Sequence, residues 1–137
     1  GGGERAEMAS PELKKILMAE DDGDIQMIAE MALKDVGGFE VKICSSGQDA
    51  LDVFCEFAPD LVLLDVMMPG MDGPTTLNKL RKRDDGADVP VIFMTAKVQP
   101  DEVASYLDLG AAGVIHKPFD PMGLSGEIKT IWTELHD

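Results

Sequence analysis

The residues best suited to chemistry stand directly after short apolar runs. Glu20-Asp21-Asp22 follows Ile16-Leu17-Met18-Ala19, and Asp65 closes Leu61-Val62-Leu63-Leu64. Thr95 closes Val91-Ile92-Phe93-Met94, and Lys117 follows Gly113-Val114-Ile115-His116. Carboxylates, a hydroxyl and an ammonium are the groups that a divalent cation and a phosphoryl group need. Two carboxylates about 4 Å apart repel by about 4 kcal/mol at an effective dielectric near 20, so several gathered together call for a cation. Mg²⁺ suits them, with Mn²⁺ as a substitute: it prefers hard oxygens, usually takes one or two carboxylates, and fills its octahedron with water and phosphate oxygens. The Asp65 carboxylate could then attack phosphorus in line and form an aspartyl phosphate. Catalysis of such a step is mostly positioning and charge neutralisation. Lys117 offers a compact cation to one phosphoryl oxygen, Thr95 can donate to another, and Ala96 leaves room for the incoming group.

Each residue alone has an ordinary use. An Asp after a strand commonly satisfies loop amides, and Lys usually sits in solvent. Only the coincidence of these groups at successive strand ends favours chemistry. Asp22 reads as the N-cap of the following helix and is left out of the metal shell. His116 on an outer strand receives no role, and Met67, Met68 and Met71 read as loop packing. Trp132 and Tyr106 fit a core edge or a partner face equally well.

The elements that must position these groups follow from hydrophobic periodicity. Uninterrupted apolar tetrads at 16–19, 61–64 and 91–94 predict central strands covered on both faces by helices. Residues 39–43 alternate, and 113–116 is short with a polar end, so both are expected at sheet edges. Between the strands lie five helices. The first carries Ile25, Ile28, Ala32 and Val36 at helical spacing before Gly37-Gly38. The second opens at Ser46, shows Ala50, Phe54 and Phe57 on one face, and stops before Pro59. The third follows Asp72-Gly73-Pro74 with Leu77 and Leu80, and the fourth has Pro100 in its first turn and ends at Gly110. The fifth is expected to start at Asp120-Pro121 with the stripe Leu124, Ile128, Ile131, Leu135. Alternating βα units of this kind predict an α/β domain, and ligands of such sheets bind outside the carboxyl ends of the strands.

A chain of 137 residues, 45% hydrophobic and 28% charged, is one domain with a core that needs no staples. Residues 1–12 lack apolar periodicity and are expected to be a disordered tail or expression remnant, with a natural start at Met8, leaving 13–137 as the domain. With 26 acidic against 12 basic side chains, the net charge of −14 argues against direct contact with nucleic acid or anionic membranes. Arg81-Lys82-Arg83 ends a helix, where the dipole favours cations. No apolar run approaches a membrane span, and the charged start has no signal-peptide core, which implies a cytoplasmic address. Cys44 and Cys55 lie in no disulfide or zinc pattern and read as reduced thiols.

The set 16–22, Leu63-Leu64-Asp65-Val66-Met67-Met68-Pro69-Gly70-Met71-Asp72-Gly73, Met94-Thr95-Ala96 and Lys117-Pro118-Phe119 resembles the receiver domains of two-component response regulators, chemotaxis regulators included. The resemblance runs over about residues 14–135, with its motifs in register at successive strand ends. It implies a flavodoxin-like doubly wound (βα)5 fold with five parallel strands in the order 2-1-3-4-5. It also implies Asp65 as phospho-acceptor, Asp21 as a direct Mg²⁺ ligand, Glu20 as a second acid acting partly through water, and the Met67 backbone carbonyl as a further ligand. Thr95 and Lys117 match the phosphoryl-binding hydroxyl and ammonium, and Lys117–Pro118 matches a bond that is cis in the family. The implied donor is a histidine kinase or His-phosphotransfer protein, and a downstream protein reads the altered face of the fourth helix, fifth strand and fifth helix. One departure stands out: the family commonly has an aromatic three residues before the lysine, and here that position is Val114. A shift of the fourth helix and fifth strand is still expected, in a different form.

The resulting expectation is a signalling switch that catalyses only its own phosphorylation and dephosphorylation. The main rival is a Mg²⁺-dependent phosphatase using an aspartyl phosphate. Phosphatases of the haloacid-dehalogenase type place a second Asp two residues after the nucleophile, where this chain has Met67. A nucleotide or flavin module lacks its Gly-rich phosphate loop, and a docking-only pseudo-receiver would not need the full acid–Thr–Lys set. A stand-alone and an excised receiver both fit.

Overall fold

Long-range pairing of the apolar tetrads builds the molecule around one parallel sheet. The computed structural model describes residues 11–137, so the tail expected over 1–12 and the start at Met8 fall, apart from Pro11 and Glu12, outside the described residues. Strands β1 (Lys15–Ala19), β2 (Glu40–Cys44), β3 (Leu61–Asp65), β4 (Val91–Thr95) and β5 (Gly113–His116) lie in the order β2-β1-β3-β4-β5, all parallel. The helices are α1 (Gly23–Glu30), prolonged by a π-turn over Met31–Val36, α2 (Gly47–Phe57), α3 (Gly73–Arg81), α4 (Pro100–Asp108) and α5 (Leu124–Leu135). This is the flavodoxin-like doubly wound fold, with β2 and β5 at the edges as their mixed polarity requires.

The sheet has a core on each face. Ile16, Met18, Leu63 and Ile92 point one way, to Ala29, Leu33, Ile128 and Trp132 of the α1 and α5 layer. Leu17, Leu64, Val91 and Phe93 point the other way, to Leu51, Phe54, Leu77 and Leu80 of α2 and α3. Alternate side chains of each central strand thus meet opposite helix layers, which is why these strands are apolar without a break. Trp132 is a core-edge residue, its indole donating to the Pro11 carbonyl at 2.8 Å. Tyr106 packs edge-on against Phe93, with ring centroids 5.4 Å apart.

Two helices differ from the sequence expectation. On α1 the buried residues are Ala29, Ala32 and Leu33, whereas Ile28 and Val36 are over 40% exposed. Ala29, Ala32 and Leu33 form a stripe one residue on from the expected one, and the π-turn accounts for Val36: Gly37 N–H bonds the Ala32 carbonyl five residues back, so the extra residue rotates the end of the helix off the 3.6 period. Helix α5 begins at Leu124, four residues after Asp120, because Asp120 first closes a turn by accepting from Gly123 and Leu124 N–H on its carbonyl. Leu135 is exposed, and Trp132 takes the burial its stripe position suggested.

The helix starts follow their caps. Asp22 Oδ1 accepts from Asp24 and Ile25 N–H at 2.8 and 3.2 Å, Ser46 Oγ from Asp49 N–H, and Asp72 Oδ1 from Thr75 N–H. Helix α2 ends in an unusual way, with Ala58 at φ 51°. Left-handed backbone costs an L side chain roughly 1–2 kcal/mol, part of which glycine's greater loss of chain entropy offsets. Ala58→Gly should therefore stabilise the fold by up to about 1 kcal/mol, raising the thermal midpoint by a few degrees. An unchanged or lower midpoint would contradict this. Helix α4 is the most loosely held, since none of its residues is buried.

Candidate functional site

The strand registers place the chemistry in one row along the carboxyl edge of the sheet. Ala19 pairs with Leu64, so Glu20 and Asp65 come next to each other on adjacent strands. Asp65 pairs with Met94, one residue before Thr95, and Thr95 pairs with His116, one residue before Lys117. Four separate stretches of chain therefore meet because their strands end at the same level.

Lys117 holds the centre. Its Nζ donates to Glu20 Oε1 at 2.9 Å and to Asp65 Oδ1 at 3.2 Å. Both carboxylates are buried, at 1% and 4% exposure, so the ammonium supplies the positive charge that keeps them inside the protein. Glu20 Oε2 also accepts from Asp22 N–H at 3.2 Å. Burial drives the Glu20 carboxyl up to about 7, the neighbouring Asp65 adds to the rise, and the Lys117 hydrogen bond opposes it. Burial would lower the Lys117 ammonium, but its bonds to Glu20 and Asp65 outweigh that and raise it above the usual lysine value.

Glu20, Asp21 and Asp65 each present a carboxylate oxygen within 4.8 Å of the others. Asp21 is the exposed member, at the mouth of the site. This cluster could hold a metal ion: all donors are hard oxygens, one side is open to water, and the buried acids carry more negative charge than one lysine neutralises. Asp22 is spent on capping α1, as its position after the acids suggested.

Thr95 is buried at the neighbouring strand end, where its hydroxyl oxygen accepts from Lys97 N–H at 3.0 Å. That bond uses a lone pair and leaves the hydroxyl proton free to donate. Among the described residues Thr95 Oγ1 makes no hydrogen bond to Asp65 or Lys117. Lys117–Pro118 is cis. Of the loop methionines, Met68 and Met71 pack on the α2–α3 core as expected, whereas the Met67 side chain is 68% exposed and does not pack there. His116 is exposed on the edge strand, as expected.

Two contacts had no signal in the sequence. The Lys97 N–H that fixes Thr95 carries no residue-type mark, since any residue but proline could supply it. The other is Gln26 on α1, whose side-chain amide donates to the Glu20 carbonyl and, at 3.2 Å, to Ser45 Oγ.

An open parallel sheet with a lysine-bridged acid cluster at its carboxyl edge carries its polar groups where doubly wound domains bind their ligands. The response regulator receiver domain family model matches residues 16–129, and the chain belongs to that family. It is 38% identical over 118 residues to the probable transcriptional regulator ycf27 of Porphyra purpurea, covering 86% of this chain and 47% of that protein. It is 34% identical over 118 residues to the phosphate regulon transcriptional regulatory protein PhoB of Pseudomonas aeruginosa, covering 86% and 51%. The chain thus spans about half the length of the curated relatives it matches. Among solved structures, the chemotaxis response regulator CheY4 of Vibrio cholerae superposes with a TM-score of 0.81 at 26% identity, covering 88% of this chain and 99% of that one. The signal receiver domain of a DNA-binding response regulator (merR) from Colwellia psychrerythraea gives 0.75 at 31% identity, covering 86% and 97%.

Proposed function

We propose that this receiver domain accepts a phosphoryl group on Asp65 from a phosphohistidine donor, in a Mg²⁺-dependent reaction, and thereby changes the face it offers to a protein partner. The observation that carries this reading is the buried Asp65 carboxylate, bonded to Lys117 and within reach of the Glu20 and Asp21 oxygens. Glu20, Asp21, Asp65 and the Met67 carbonyl would hold the cation, which when bound neutralises charge between the carboxylates and the incoming phosphate. The second Asp65 oxygen attacks phosphorus as the bond to the donor imidazole nitrogen breaks, and the electron pair leaves on that nitrogen. Lys117 exchanges its hydrogen bond to Asp65 for one to a phosphoryl oxygen, and Thr95 turns its free proton to another. The chemistry is self-modification and slow self-hydrolysis, with no turnover of a separate substrate.

The new phosphoryl group adds up to about two negative charges. Helix α4 buries no residue and is the element least costly to move. Between α4 and α5, Val98, Val103, Val114, His116, Glu127, Thr130 and Ile131 line an open groove of about 460 Å³, where the smaller Val114 stands in place of an aromatic. A partner reading this face is expected to be a protein, given the net charge of −14. No helix among the described residues is long and apolar enough to cross a membrane.

The test is incubation with acetyl phosphate, with Mg²⁺ or with chelator, followed by intact mass and borohydride reduction to locate the modified aspartate. One added phosphoryl group on residue 65, dependent on metal, is the expected result; label elsewhere would move the acceptor.

The raised Glu20 carboxyl gives the site a pH dependence. Metal binding needs the carboxylate ionised, so binding displaces a proton below about pH 7, and affinity should fall by up to about tenfold for each unit below that. In chelator the sign for stability is the opposite. A carboxyl whose folded value lies above its unfolded one stabilises the fold at low pH, and this contribution is lost as pH rises from 4.5 through about 7. Calorimetric Mg²⁺ titrations and melting curves from pH 5 to 8 check both; a pH-independent affinity would remove Glu20 from the site.

A further inference from the structure

The acidic loop is held from outside by a side chain that has no part in the phosphoryl reaction as described. The Glu20 peptide is pinned at both ends: its N–H donates to the Cys44 carbonyl at 3.0 Å, and its carbonyl accepts from the Gln26 amide. The same Gln26 nitrogen reaches Ser45 Oγ at 3.2 Å, so one amide ties β1, α1 and the β2–α2 connection together. Gln26 is itself fixed, because it lies in the first turns of α1 and its N–H bonds the Asp22 carbonyl at 3.0 Å.

The geometry points to Gln26 as a positioning residue that sets the plane of the 20–21 peptide and thereby aims the Asp21 carboxylate at the cation site. Asp21 depends on such help. It is exposed, and among the described residues its side chain makes no hydrogen bond or ion pair, so only its backbone orients it beside Glu20 and Asp65. Glu20 differs, since Lys117 and Asp22 N–H already fix its carboxylate. Loss of the Gln26 amide would loosen the peptide that leads into Asp21, the one carboxylate of the three whose side chain has no partner of its own among the described residues. Outer partners of metal ligands typically contribute 10–100-fold to affinity, and a bond to the ligand loop's main chain belongs at the low end.

This inference rests on the proposed cation site, and the experiment separates the two. Mg²⁺ affinity is measured by titration calorimetry for the unsubstituted chain and for Gln26→Met, which keeps the length and apolar stem but has no donor. Melting temperature in chelator and the acetyl phosphate labelling rate across Mg²⁺ concentrations accompany it. The expected result is about tenfold weaker Mg²⁺ binding, a chelator melting temperature within about two degrees of the original, and a labelling rate that recovers at saturating Mg²⁺. A purely structural role would lower the melting temperature and leave the affinity unchanged. Affinity within twofold of the unsubstituted chain, or a labelling defect that persists at saturating metal, would overturn the assignment of Gln26 alone. No Mg²⁺ binding by the unsubstituted chain would overturn it together with the reading on which it rests.

Discussion

Asp65→Asn should abolish phosphoryl uptake from acetyl phosphate while making the metal-free protein more stable. The two effects have one origin. A carboxamide oxygen is neutral and a poor nucleophile toward phosphorus, so the labelling rate should fall by at least about a thousandfold, as when an enzyme loses its nucleophile. The same change removes one of two buried carboxylates that share a single ammonium. Lys117 keeps its 2.9 Å bond to Glu20, and the charge at the sheet edge falls by one. Coulomb repulsion in the metal-free state therefore drops, and the Glu20 carboxyl, which Asp65 helps to raise, should titrate lower. Mass spectrometry reads the first effect and melting in chelator reads the second. Residual label at wild-type level would place the acceptor elsewhere, and a lower midpoint would mean that the Asp65 carboxylate is a net stabilising group.

Lys117→Met should have the largest effect on stability. It preserves the apolar stem but leaves Glu20 and Asp65, both under 5% exposed, facing each other with no cation. Removing one partner of a buried ion pair costs about 3–5 kcal/mol. The ammonium is partly reached by solvent, with 18% of its side chain exposed, so the low end applies. For a domain of this size about 3 kcal/mol lowers the midpoint by roughly 10 °C. The loss should be greatest at pH 8 in chelator. It should shrink at pH 5, where Glu20 takes up a proton, and again in saturating Mg²⁺, which replaces the missing charge. Thermal melts under those three conditions test the idea, and a loss independent of both pH and metal would point to packing instead. Phosphorylation of the variant should still occur with metal but fail to change partner binding, because no cation remains to pull β5 toward the phosphoryl group.

Much of this molecule was legible before folding was considered. The tetrads at 16–19, 61–64 and 91–94 announced strands buried on both faces, because a strand between two helix layers has no wet side for polar residues. Asp22, Ser46 and Asp72 announced helix starts, because a short oxygen-bearing side chain satisfies amides two or three residues on. The buried face of α1 differs from the one its periodicity predicts, and the reason is partly tertiary. Ile25, Met27, Ile28, Ala29, Met31, Ala32, Leu33 and Val36 offer more than one apolar stripe, and the side that is buried is the one facing α5, whose Ser125 Oγ donates to the Ala32 carbonyl at 2.8 Å.

The order of residue types along the chain was enough to show which groups could do chemistry and which elements end beside them, since propensity, periodicity and capping act over a few residues and leave a local mark. Folding alone settles that Lys117 pairs with a carboxylate 97 residues away and another 52 away, that Thr95 accepts from a backbone amide, and that Gln26 bonds the Glu20 carbonyl. Those contacts depend on where strands stop relative to one another. Their energies come from burial and charge at short range in space, to which distance along the chain is indifferent.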